Sequence, residues 1–164
     1  MPLYCAVGST PDGSMSGKTN VAPKGFHTAT PNMITGDAPV LLKFLKDGLG
    51  GEEVAMVRYP DGGIRHAEVL LGDTRIFLGQ ETLDRPAMAC RVYLFVENVD
   101  KAYARALRTD AVGLSPPHDA FYGDRVAVIR DPVGNHWTLA KRRESLSDAE
   151  KMRRLKAMNP KDSI

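Results

Sequence analysis

Cysteine is nearly absent from this chain of 164 residues: there are two, Cys5 and Cys90, far apart and with no CxxC pair. That spacing gives neither a disulfide framework nor a zinc knuckle, and it suits a reducing, cytoplasmic setting. An excess of one charge sign is missing too. Lys and Arg number 22 against 20 Asp and Glu, a net charge of +2. No basic face interleaved with aromatics is present, so nucleic acid is not an expected partner. The one basic run, "KRRESLSDAEKMRRLKAM", is explained by a solvated helix face. No apolar run approaches the roughly 20 residues of a membrane span, and the opening "MPLYCAVGSTPDGSMSGKTN" lacks the charged start and apolar core of a signal peptide, so no membrane association is expected. Rich in Gly, Ser, Thr and Pro, that opening reads as a flexible arm over residues 1–24. The remaining composition, 43% hydrophobic and 26% charged, is that of an ordinary globular chain long enough to bury one core.

What the chain does have is internal similarity. "RHAEVLLGDTRIFLGQE" from Arg65 lies over "RVAVIRDPVGNHWTLAK" from Arg125 at a constant offset of 60 residues, so that Ala67 meets Ala127, Val69 meets Ile129 and Phe77 meets Trp137. Upstream, "TPNMITGDAPVLLKFL" from Thr30 lies over "RVYLFVENVDKAYARAL" from Arg91 at an offset of 61. Each member of that second pair reads as an alternating strand followed by an amphipathic helix, with Val99, Ala102, Tyr103, Ala106 and Leu107 at helical spacing. Strand, helix and hairpin recur in one order. The predicted fold is therefore α+β: two tandem βαβββ modules, over residues 25–85 and 86–142, that together make one domain. Hairpin turns are expected at "YPDGG", "GD" and "DPVGN". Over the tail, residues 143–164, Ser147 followed by Glu150 predicts a helix start and Asn159-Pro160 its stop, with Met152, Leu155 and Met158 as a thin apolar stripe that is expected to pack on the body or on a partner subunit.

Strand alternation then predicts faces. Ala67, Val69 and Leu71 suit packing under a helix, which leaves His66, Glu68 and Leu70 opposite. Val92, Leu94 and Val96 leave Arg91, Tyr93 and Phe95 opposite. Trp137 and Leu139 are the core pair of the last strand, with His136, Thr138 and Ala140 turned away, and Thr28, Thr30, Asn32 and Ile34 share the outer face of the first. The face away from the helices is therefore mixed polar and aromatic, either wet or a pocket lining.

With "DPVGNHWTLA" closing its second copy, this paired βαβββ arrangement resembles the vicinal oxygen chelate (VOC) superfamily, which includes glyoxalases, extradiol dioxygenases, fosfomycin resistance enzymes and bleomycin-binding proteins. The motifs "TPNMITGDA", "PDGGIRHAEVLLGD", "LFVENVDKAYARAL", "FYGDR" and "RDPVGNHWTLA" resemble its PhnB-like branch, over about Thr28 to Ala140. The resemblance implies a cup-shaped mixed sheet with helices outside, a ligand or metal on the concave face, and a homodimer. It places the metal ligands of the family at Thr30, near Leu78, at Arg91 and at Thr138. Two threonines, a leucine and an arginine make no ligand set, and a guanidinium would repel a nearby dication by several kcal/mol, so no metal and no cofactor is expected there.

Two kinds of candidate remain. His66 and Glu68, at i and i+2 on one face, read as a general base with its orienting carboxylate, as part of a displaced metal site approached by His136, or as a plain ion pair. Ligand contacts are expected from Thr30, Asn32, Arg91, Tyr93, Phe95, Tyr122, Arg125, His136 and Thr138. Arg91 reads either as a clamp for an anionic or planar ligand or as the salt-bridge partner of Glu68. Trp137 and Cys90 read as core, and His27 and His118 as loop residues without a special role. The function expected is that of a metal-free protein binding a small-molecule ligand, a drug or secondary metabolite. The alternative is a VOC enzyme: a metal-free isomerase or cyclase using His66 and Glu68, or a lyase or dioxygenase with a displaced metal.

Overall fold

The computed structural model describes residues 21–158. Most of the expected N-terminal arm, and the Asn159-Pro160 stop, lie outside the described residues. The first module runs β1 (Asn32–Thr35), α1 (Ala38–Lys43), β2 (Glu52–Arg58), β3 (Ile64–Leu71) and β4 (Thr74–Gln80). The second runs β5 (Arg91–Phe95), α2 (Val99–Leu107), β6 (Val112–Asp119), β7 (Asp124–Arg130) and β8 (His136–Arg142), and α3 (Asp148–Ala157) follows. The strands form two four-stranded sheets with the same order, β1-β4-β3-β2 and β5-β8-β7-β6, each with one parallel pair and two antiparallel pairs. No barrel closes.

Local chemistry explains the elements. Asp37 caps α1 by accepting from the Val40 amide at 3.0 Å, and Asn98 caps α2 by accepting from the Lys101 amide at 2.9 Å. The predicted hairpins form where glycine supplies left-handed backbone, Gly62 at φ 89°, Gly72 at 64° and Gly134 at 101°. Beyond Lys43 the first helix widens into a π-helical turn, Phe44–Gly48. The carbonyls that this turn leaves over are taken by the second module: Arg105 Nε donates to Gly48 O at 2.8 Å and Nη2 to Leu49 O at 2.6 Å.

One core serves both modules. Val69, Leu78 and Leu45 from the first and Ile129, Trp137 and Leu139 from the second are all fully buried in it, and the Phe44 and Trp137 rings meet at 6.1 Å between centroids. The predicted faces hold along β3, where Ala67, Val69 and Leu71 are buried and His66, Glu68 and Leu70 are half-buried.

The repeat departs from its ungapped alignment in the last strand. Val69 pairs with Ile76 while its counterpart Ile129 pairs with Trp137. The true partner of Trp137 is thus Ile76, not Phe77, because the Asp131–Asn135 turn is one residue longer than the turn at Gly72-Asp73. A slip of one residue changes the face of every side chain in a strand. Phe77 accordingly lies outside the core, its ring 4.9 Å from that of His66. For the same reason Leu78, fully buried, belongs to the core and not to the face opposite the helices.

Candidate functional site

The face of the second sheet turned away from α2 is where four of the predicted ligand residues meet. Arg91, Tyr93, Tyr122 and Thr138 line a cavity of about 330 Å³, together with His118, Phe121, Val126 and Val128 of the same module and Leu155 and Met158 of the C-terminal segment. Alternation along paired strands puts them there: β5 contributes Arg91 and Tyr93, β7 Val126 and Val128, and β8 Thr138, with Tyr93 opposite Thr138 and Val128 opposite Thr138. Val126 is 4% exposed yet takes no part in the shared core, so it is covered from the pocket side.

The pocket mixes apolar and aromatic walls with polar groups, Arg91, His118, Asp119 and Thr138 among them, and its best-connected polar cluster is at Tyr93. Tyr93 Oη donates to Asp124 Oδ2 at 3.2 Å and lies 3.4 Å from Tyr122 Oη. Asp124, itself buried, also accepts from Arg142 Nε. Burial, then the hydrogen bond to Tyr122 and the charge of Asp124, push the Tyr93 hydroxyl well above the usual phenol range. Tyr93 therefore stays a neutral donor at physiological pH, and its ring is fixed as a wall. Arg91 has no carboxylate partner among the described residues. The salt bridge to Glu68 that its chemistry permitted is not made, because Glu68 pairs with Arg75 Nη1 at 3.0 Å and with His66 Nε2 at 3.5 Å.

The remaining candidates are dispersed. His66 and Glu68 lie together on β3 in the first module, the carboxylate shared with Arg75, whose guanidinium sits 4.7 Å over the Phe26 ring. Asn32 pairs with Phe77 on β4 of that same sheet, and Thr30 precedes β1. His136 starts β8 beside Arg91. Phe95 is 63% exposed, at the other end of β5 from Arg91. Arg125 belongs to the helix side, where it forks onto Asp100 at the start of α2 with two 2.7 Å bonds and reaches Asp119 at 3.1 Å. Cys90 is half-buried, with its thiol pushed up by burial and by Asp131.

Sequence reasoning missed two features. His118 is not a loop residue: it lies in β6 and lines the pocket, and its Nδ1 is 2.9 Å from Pro116 O. A carbonyl only accepts, so Nδ1 carries the proton and Nε2 is the open nitrogen. Two consecutive prolines precede it, and β6 is an edge strand, where proline is tolerated. The second feature is the contribution of the C-terminal segment, for which the thin apolar stripe was the only signal.

A metal does not fit the positions that the resemblance assigns to one. Leu78 faces the core, Thr30 and Thr138 offer hydroxyls only, and Arg91 brings a fixed positive charge. Among the described residues no group of three or more His, Cys, Asp or Glu is placed to hold an ion, the combination of His66, Glu68 and His136 included.

A family profile described as the Glyoxalase/Bleomycin resistance protein/Dioxygenase superfamily matches residues 26–139. The chain belongs to this superfamily. Among curated relatives, Uncharacterized protein Rv0887c of Mycobacterium tuberculosis is 27% identical over 124 residues, 67% of this chain and 71% of the relative. Uncharacterized protein Mb0911c of Mycobacterium bovis is also 27% identical, over 80% of its own length. Among solved structures, TioX from Micromonospora sp. ML1 superposes with a TM-score of 0.60 at 19% identity, over 68% of this chain and 95% of that one. Protein PA1353 from Pseudomonas aeruginosa gives 0.59 at 18%, over 71% and 98%. At these identities the likeness to the solved structures concerns the superfamily fold alone. The matched region stops before α3, so the pocket combines superfamily strands with a segment beyond them.

Proposed function

We propose that this protein binds a small molecule of the drug or secondary-metabolite kind without a metal, in the pocket of its second module. The observation that carries the reading is Arg91, a cation with no carboxylate partner among the described residues, at a cavity otherwise walled by Tyr93, Phe121, Tyr122, Val126 and Val128. An apolar, aromatic hollow with one or two placed polar groups is the usual form of a small-molecule site, and about 330 Å³ lies at the small end of the range of such sites. Placement in the PhnB-like branch rests on the motif set, "FYGDR" and "RDPVGNHWTLA" above all.

Native mass spectrometry of the protein purified from its own host tests the proposal. A retained organic adduct that is lost in Arg91→Met supports it. A stoichiometric divalent ion that is lost in His66→Ala overturns the metal-free reading, and an adduct indifferent to Arg91→Met overturns the placement of the site in this pocket.

A further inference from the structure

The C-terminal helix lies beyond the superfamily match and buries none of its own residues, yet its Leu155, and Met158 just past its end, line the pocket. It reaches the second module through its linker, and its own ion pairs lie within the tail. The linker is tied down where the Arg143 and Glu144 amides both donate to Gly123 O, at 3.0 and 3.1 Å. Ser147 Oγ caps the helix by accepting from the Glu150 amide at 3.2 Å. Glu150 does not close the reciprocal half of a capping box; its carboxylate is held by Arg153 and by Arg154, the latter at 2.9 Å. Arg154 then reaches back to the linker, with Nη1 2.5 Å and Nη2 3.2 Å from the two oxygens of Glu144. This fork faces a separate, more open hollow that Met158 and Arg154 share with Asp119, Gly123 and Glu144. Leu155, at 39% exposure, lines the ligand pocket, and Met158 stands between the two hollows and lines both.

Resting on the ligand-binding reading above, we propose that α3 is the roof of that pocket and that the ligand class is a flat aromatic acid. Arg91 takes the anionic group, the rings of Tyr93, Tyr122 and Phe121 take the aromatic body from the sides, and Leu155 and Met158 close over it. Three features set this class. The lining holds one cation without a carboxylate partner; the carboxylate of Asp119, also at the pocket, is engaged by Arg125 at 3.1 Å. A guanidinium forks onto a planar carboxylate or sulfonate. Aromatic walls and a thioether favour a ring over an aliphatic chain of equal size. A roof of two flexible apolar side chains on a helix tied by surface ion pairs also leaves a way in, since such pairs are weak enough to open.

The test uses the full chain and 2-naphthoate, with 2-naphthamide as its neutral counterpart, titrated by fluorescence. The acid is expected to bind about tenfold or more tightly than the amide, and Arg91→Met is expected to remove that difference. The double variant Leu155→Ala/Met158→Ala is expected to weaken acid and amide alike by about tenfold, since each truncation removes apolar area from the contact. Saturation with 2-naphthoate is expected to slow hydrogen exchange of the α3 amides, a readout that needs no variant. If acid binding depends on Arg91 while the double variant and the α3 exchange show no change, the roof is overturned and the pocket stands. If binding ignores Arg91→Met, or neither probe binds, the pocket reading and the roof both fall.

Discussion

Trp137 Nε1 donates to Asp131 Oδ2 at 3.0 Å, in a part of the core where Trp137 is fully buried and Asp131 is 2% exposed. The carboxylate is shared. Oδ2 also accepts from Asn135 Nδ2 at 2.8 Å, and Oδ1 accepts from the Val133 and Asn135 amides at 3.1 and 2.8 Å. Four donors thus converge on one carboxyl group at the base of the β7–β8 hairpin. Asn135 passes the link on, since its Oδ1 accepts from the Cys90 amide at 3.0 Å just before β5. The turn is therefore the joint that sets β8 against β5, and it fixes where Arg91 and Thr138 stand in the pocket.

Asp131→Ala is expected to cost about 3 kcal/mol, because it strands the indole N–H and the Asn135 amide in a dry interior. Urea unfolding would show it as a lower midpoint at an unchanged m-value. A loss below about 0.5 kcal/mol, the scatter of surface substitutions, would mean that water reaches these donors.

Most of the architecture was legible because period and repetition report burial directly. Alternation gave the correct faces for "RHAEVLL" and "RVYLF", and the repeat gave two βαβββ units in order. The last strand was misaligned because sequence similarity between Phe77 and Trp137 outweighs a one-residue turn insertion, while in the folded sheet that insertion decides the face. The site was half legible. Arg91, Tyr93, Tyr122 and Thr138 converge because all four follow from one sheet face and its rim. The ion pair of Arg125 with Asp100 was hidden because it joins a strand to a helix start 25 residues away, a pairing that no period encodes. The roof was hidden for a related reason: where a tail helix docks depends on tertiary geometry, not on its own stripe.

Glu68→Gln is expected to leave 2-naphthoate affinity within about twofold, because its ion pairs with His66 and Arg75 belong to the first module and touch no pocket residue. Glu68 and Arg75 keep only 19% and 20% of their side-chain surface exposed, so the neutral Gln is expected to cost about 1–3 kcal/mol, more than the loss of a fully exposed pair, and to lower thermal stability accordingly. Any turnover on a small-molecule substrate that vanishes in this variant, with binding intact, would favour the enzyme reading over sequestration.

Acid is expected to loosen α3. The guanidinium groups of Arg153 and Arg154 hold the Glu150 carboxyl down at about 2, against an ordinary value of 4.5. Arg154 likewise lowers that of Glu144. A carboxyl depressed in the folded state stabilises above its unfolded value and loses that contribution as pH falls toward its folded one. The fork is therefore intact at neutral pH and weakens from about pH 4.5 down to about pH 2. Far-UV circular dichroism at low salt should record a partial loss of helix over that interval, ahead of global unfolding. Because the pairs are exposed, added salt should move the loss to higher pH. Helical signal unchanged down to pH 2 would show that the fork holds nothing.

Gly123 ties the pocket wall to the roof. Its φ is 95°, where side chains other than glycine are strained, and a Cβ built there would stand 2.6 Å from Glu144 O and 3.4 Å from Leu146 Cδ1. The obstruction is backbone, so it cannot be relieved by rotating a side chain. In Gly123→Ala either the Tyr122–Asp124 segment or the linker must move, and the linker's hydrogen bonds among the described residues are the two amide bonds to Gly123 O and the Arg154 fork. The linker is the softer element, so it moves and takes α3 with it. The expected result is a selective defect: 2-naphthoate affinity falls by about as much as in Leu155→Ala/Met158→Ala, α3 amides exchange faster, and the strand amides of β5, β7 and β8 keep their protection. Equal loosening of the strands would instead mean that Gly123 serves the β6–β7 turn alone, and that the roof is placed by its own contacts with the pocket.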